Sequence, residues 1–116
     1  MYFFNAPSIP YKKKRDRVFI KSITGEKLQL SFIRLEPGEC TNHRHPQEQM
    51  GYILSGKVEV TIDEQTQVLG PGEGYHIPGN IQHGFRVTQT EGVEYLEMFS
   101  PPKTENQTRA EITVKD

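Results

Sequence analysis

Apolar and polar residues alternate with a period of two along much of this chain. Leu28, Leu30 and Phe32 alternate with Gln29 and Ser31; Val58, Val60 and Ile62 alternate with Glu59 and Thr61. Successive side chains of a strand point to opposite faces, so this period marks half-buried β-strands. The pattern predicts strands near 18–23, 27–35, 57–63, 66–69, 75–78, 83–87 and 93–99. Turns punctuate them at Thr24-Gly25, Glu36-Pro37-Gly38-Glu39, Ser55-Gly56, Asp63-Glu64-Gln65 and Gly70-Pro71-Gly72. Short strands at this spacing predict a sandwich or barrel. Pro7 and Pro10 oppose a helix, so residues 1–17 read as an irregular N-terminal arm. Residues 103–116 read as a polar C-terminal tail, with Glu111–Val114 as a candidate edge strand. No boundary divides the chain, and 1–116 is expected to be one domain.

Composition sharpens the fold class. Seven Val, nine Ile and nine Thr stand against two Ala and six Leu, a balance that favours sheets over helices. Fourteen basic and fifteen acidic residues leave a formal charge of −1, so no whole-chain field draws the protein to nucleic acid. No apolar run approaches the ~18 residues of a membrane span. The start, Met1-Tyr2-Phe3-Phe4-Asn5, has no charged segment leading into a long apolar one, which argues against a secretory signal. Cys40 is the lone cysteine, so no internal disulfide forms. These features point to a cytoplasmic protein that contacts neither nucleic acid nor membrane. The run Lys12-Lys13-Lys14-Arg15 reads as a solvated segment.

Candidate chemistry begins at His43-Arg44-His45. On a strand, residues i and i+2 share a face, so the two imidazoles would project together. Neutral imidazole is a common transition-metal ligand. Glu48 and Gln49 follow, and strand parity lets only one of them point inward. A third histidine, His83, comes after Ile77-Pro78-Gly79 and a short loop. Alone, each of these signals is weak.

Together they form a pattern. Gly38 to Gly56, with His43-x-His45 and an acid or amide four residues later, resembles the first motif of the cupin superfamily. Gly72-Glu73-Gly74-Tyr75-His76-Ile77-Pro78-Gly79-Asn80-Ile81-Gln82-His83 resembles the second. The resemblance implies an all-β jelly-roll barrel, the double-stranded β-helix. It also implies one divalent transition metal ion (Zn, Ni, Mn, Fe or Co) held by His43, His45, the acid/amide position and His83, and no other cofactor. The usual glutamate position falls on Gln49, which shares a face with Gly51 and Ile53. Glu48 remains the alternative ligand if a bulge shifts the strand by one residue. A shell of three imidazoles and one amide is neutral, so the ion would keep its full charge as a Lewis acid.

Within the superfamily, the chain resembles the pectin-degradation cupins, which convert 4,5-unsaturated uronates to linear keto sugars. Their pocket segment corresponds to Glu97-Met98-Phe99-Ser100-Pro101-Pro102-Lys103, with Glu97 replacing an aspartate and Lys103 an arginine. Val93, Tyr95, Glu97 and Phe99 share one face, which places a carboxylate among apolar neighbours. The resemblance implies Glu97 as general acid/base, Lys103 as the group holding a substrate carboxylate, and Phe99 as pocket wall. A small carboxylate-bearing substrate is therefore expected. The alternatives are a metal-dependent dioxygenase and a non-catalytic metal- or sugar-binding module. Small cupins are commonly homodimers, and a homodimer is expected here.

The remaining candidates have plainer readings. His76 has the opposite parity to the inward face and is expected at the surface or hydrogen-bonded. Tyr52 and Tyr75 read as packing residues, and Cys40 as a small buried thiol. Arg44 should point away from its flanking histidines, and Arg86 does not share His83's parity. No motif around Ser55 makes it a nucleophile.

Overall fold

The computed structural model describes residues 2–107 and 111–113. The strands are β1 (Lys12–Arg15), β2 (Val18–Thr24), β3 (Gln29–Leu35), β4 (Cys40–His43), β5 (Glu48–Ser55) and β6 (Val58–Ile62). They continue with β7 (Gln65–Leu69), β8 (Gly74–Ile77), β9 (His83–Arg86), β10 (Val93–Ser100) and β11 (Glu111–Thr113). A single helical turn, α1 (Thr104–Gln107), precedes β11.

Two sheets face each other. The larger runs β1-β2-β3-β10-β5-β8, with β11 parallel to β2; the smaller runs β4-β9-β6-β7. Sequence-distant strands are neighbours: β10, late in the chain, lies between β3 and β5. This all-β arrangement is the expected jelly roll. Its apolar interior gathers Ile20, Ile33, Leu35, Ile53, Val58, Val60, Ile77, Phe85, Val87, Val93 and Tyr95. Each such aliphatic side chain contributes roughly 1.5–3 kcal/mol on burial. Among the described residues, no helix is long and apolar enough to cross a membrane.

The barrel is apolar only at one end. On β3 the buried face carries Gln29, Ser31, Ile33 and Leu35, while Leu28 is 68% exposed. The polar side of the alternation is thus the inward one at the start of this strand. Polar burial is tolerable because the groups are paired. Ser22 and Ser31 share a hydrogen bond of 2.7 Å, and Gln29 Nε2 donates to Thr24 Oγ1 at 3.0 Å.

Two expectations need correction. The N-terminal arm is not irregular throughout: Lys12–Arg15 is an edge strand paired with β2. Charged residues mask its strand character in the sequence, but lysine-rich edges resist pairing with other chains. Pro7 sits in the first turn of a short 3-10 helix, Ala6–Ser8, where its missing N–H costs nothing. That turn is tied to β2 by Lys21, whose Nζ donates to the carbonyls of Ala6 and Ile9. Cys40 is exposed, not buried, because its side of β4 faces outward. The candidate edge strand of the tail is present: after α1, Glu111–Thr113 pairs with β2, and its expected continuation at Val114 lies outside the described residues.

Candidate metal centre

The two sheets bring the three histidines together at one end of the barrel. His43 closes β4 and His83 opens β9, and the two are direct ladder partners. His45 is not on the strand. Pro46 cannot donate to a ladder, so β4 stops at His43 and the chain turns. The turn is held by the Asn80 amide, which donates to the His45 carbonyl at 2.8 Å. The imidazoles converge all the same. Ring centroids lie 4.7 to 5.3 Å apart, and the nearest ligand atoms of His43, His45 and His83 fall within 4.8 Å of one another.

Backbone carbonyls orient two of the rings. His45 Nδ1 lies 3.1 Å from the Gln47 carbonyl, and His83 Nδ1 lies 2.9 Å from that of Ile81. A carbonyl only accepts, so in each neutral ring the proton sits on Nδ1 and Nε2 keeps a lone pair. His83 Nε2 is buried with no hydrogen-bond partner. All three rings are held below the ordinary imidazole pKa. Loss of hydration in the crowded site is the main cause. For His43, the charges of His83, Lys103, His45 and Lys14 add to it, and its pKa falls to about 4. His45 and His83 are lowered as well, with Lys103 contributing to both. The triad is therefore neutral at pH 7.

Gln49 lies against His45. It is buried on β5, while its neighbour Glu48 is exposed and hydrogen-bonded to His76 at 2.7 Å. The regular β5 ladder places no bulge between Glu48 and Gln49. Gln49 Nε2 donates to Glu97 Oε2, which turns Oε1 toward His45 Nε2 at 3.0 Å. Two lone pairs thus face each other at hydrogen-bond distance with no proton to share. A buried, unpartnered imidazole nitrogen beside such a pair is the arrangement a cation stabilises. The donor set of His43, His45, His83 and Gln49 fits one divalent ion.

Beside this cluster lies a buried carboxylate. Glu97 is 5% exposed on β10. It accepts hydrogen bonds from the Tyr75 hydroxyl and from Gln49 Nε2. Burial pushes its pKa up, against the opposing pull of Tyr75, Lys103 and Gln49. Phe99, two residues on, packs 5.9 Å from the His45 ring, centroid to centroid. Lys103 is 7% exposed, sits over the Phe99 ring and pairs with Glu105 at 2.9 Å. His43, Gln49, Glu97, Phe99 and Lys103 line one cavity.

The structure thus brings together all seven residues singled out in the sequence and leaves Arg44, Arg86, His76 and Glu48 exposed. Tyr75 was expected only to pack, but it also binds Glu97; its place on the Gln49 side of β8 is the available hint. Gln29 holds Lys103 by its backbone: Nε2 donates to the Lys103 carbonyl and the Lys103 amide donates to Oε1, both at 3.2 Å. Nothing in the local sequence signals that contact, because 74 residues separate the partners.

With this geometry, comparison with known proteins is direct. The cupin domain model matches residues 31–99, and the chain belongs to that family. The pectin degradation protein KdgF of Dickeya dadantii is 27% identical over 106 residues, covering 89% of this chain and 96% of that protein. The structure of KdgF from Halomonas sp. superposes with a TM-score of 0.81 at 22% identity, covering 89% of this chain and 96% of that one. The probable transcriptional regulator LumQ of Photobacterium leiognathi is 39% identical over 62 residues, 53% of this chain but 24% of that protein.

Proposed function

We propose that this chain is a metal-dependent enzyme that opens the ring of a small sugar acid, converting a 4,5-unsaturated uronate to its linear keto form. The observation that carries this is Glu97: a buried carboxylate, held by Tyr75 and Gln49, beside three convergent imidazoles. Similarity to KdgF over nearly the whole length of both chains supports the substrate class.

A divalent ion held by His43, His45, His83 and Gln49 would supply Lewis-acid polarisation of a substrate oxygen. The chain's own groups do the rest. Lys103 binds the substrate carboxylate, and Phe99 presents a flat apolar wall to the ring. Glu97 takes the proton of the anomeric hydroxyl as the ring carbon–oxygen bond at that carbon breaks. An aldehyde forms there, and the ring oxygen leaves as an enolate. Glu97 then returns the proton to the enolate carbon, and the enolate becomes a ketone. One proton moves and no atom is lost, so the reaction is an isomerisation. A raised pKa suits both halves of this cycle, because the carboxylate must accept and release a proton near neutral pH.

A cytoplasmic homodimer belongs to this reading. Met50, Tyr52, Leu54 and Met98 are exposed on the outer side of β5 and β10, an apolar surface that suits a second subunit. The test is the loss of absorbance from the conjugated double bond when metal-loaded protein meets an unsaturated uronate. Turnover that fails after ion removal and returns on reloading supports the proposal. A loaded protein without turnover on any unsaturated uronate refutes it.

A further inference from the structure

The run Lys12-Lys13-Lys14-Arg15 looks like a solvated charge cluster in the sequence, but one member is only partly solvated. Lys12, Lys13 and Arg15 are exposed, whereas Lys14 is half-buried. The cause is a β-bulge. Lys13 pairs with Phe19 and Arg15 with Val18, so the register slips by one residue at Lys14. In an unbroken strand, successive side chains alternate and only one of Lys14 and Arg15 could face the interior. The bulge re-aims the chain so that both line the cavity of His43, Glu97 and Lys103.

The two cations have different fates. Arg15 is committed to the buried Glu39 carboxylate through both branches of its guanidinium. Lys14 lines the cavity from the N-terminal end of the chain and Lys103 from the C-terminal end. Both charges act on one carboxylate, that of Glu105. Glu105 is itself informative. Its carboxylate is bonded to Lys103 Nζ, and the charges of both lysines hold its pKa down. A carboxylate of the protein's own thus sits where a carboxylate is stabilised.

We propose that Lys14 and Lys103 form a two-cation clamp for the carboxylate of the substrate, and that Glu105 occupies this clamp until substrate displaces it. The clamp rests on the sugar-acid reading above for its ligand. One ammonium is a point charge and leaves a planar carboxylate free to rotate. Two ammoniums lining the same cavity can each take one oxygen, which fixes the plane of the group and the ring attached to it.

The test is calorimetric titration of the full chain with D-galacturonate and with its uncharged methyl ester. The wild-type chain should prefer the acid at least about tenfold, as expected for one charge-assisted hydrogen bond. Lys14→Met should lose about tenfold in affinity for the acid and none for the ester. Lys14→Arg should retain most of the binding, Lys13→Met should bind as the wild type does, and Glu105→Gln should bind the acid more tightly. An unchanged melting temperature in Lys14→Met separates the effect from misfolding. Equal affinity of the wild type and Lys14→Met for the acid overturns the clamp, as does no preference for acid over ester. Galacturonate binding that depends on Lys14, in a protein that turns over no unsaturated uronate, would sink the reaction and spare the clamp.

Discussion

Gly51 stands directly opposite Glu97 in the β5–β10 ladder, and its missing side chain is the space through which Tyr75 reaches that carboxylate. Tyr75 pairs with Gly51 from the other side, so the three residues form one inward row across the sheet. A methyl group on Gly51 would overlap the tip of the tyrosine ring. Gly51→Ala should therefore displace Tyr75, cost about 1–3 kcal/mol of stability, and lower turnover. Denaturant unfolding and an activity assay check both parts. An alanine variant with wild-type stability and rate would show that the row is not needed.

Tyr75 also sets the proton affinity of Glu97. A hydroxyl donated to a carboxylate favours its ionised form, so Tyr75 pulls the pKa down against burial. Removing it in Tyr75→Phe should raise the Glu97 pKa further. The limb of the pH–rate profile that reports this group should move to higher pH. Glu97→Gln should retain the ion and lose turnover by at least about 100-fold, the lower range for general acid–base catalysis. Retained activity in Glu97→Gln excludes proton transfer by this residue.

The depressed imidazole pKa values make a prediction about the ion itself. Three ordinary imidazoles would cost roughly thirtyfold in metal affinity between pH 7 and pH 6, because protons compete for each ring. Here all three are lowered, His43 to about 4. Apparent affinity should fall only a few-fold over that interval, then steeply as pH approaches 4. Competition titration against a chelator at several pH values measures this. The linkage has the same sign for stability of the ion-free fold. His43 is neutral when folded and protonates near 6.5 when unfolded, so its contribution is present above that value and is lost as pH falls toward 4.

Gln29 anchors Lys103 at a distance from the chemistry. Gln29→Leu would leave the buried Lys103 amide and carbonyl unpaired, at a cost of about 1–3 kcal/mol for such a group. Lys103 should then be positioned less well, raising KM for the uronate more than it lowers kcat. Steady-state kinetics of the variant distinguishes the two, and a change confined to kcat would contradict a binding role for Lys103.

The sequence by itself determined the all-β class, most strand positions and which side chains share a face. Those features are local: a period of two, turn residues, and side chains that must share a face, as Gln49 does with Gly51 and Glu97 with Phe99. Only the tertiary structure decided that the polar side of β3 faces inward, because the pairing of Ser22 with Ser31 and of Gln29 with Thr24 and Lys103 crosses between strands. It also decided the role of Tyr75 through an empty position on another strand, and turned Lys14 into the cavity through a bulge that composition cannot reveal. Hydrophobic periodicity records which face of one strand is apolar. Which partner satisfies a buried polar group depends on what the fold brings opposite it.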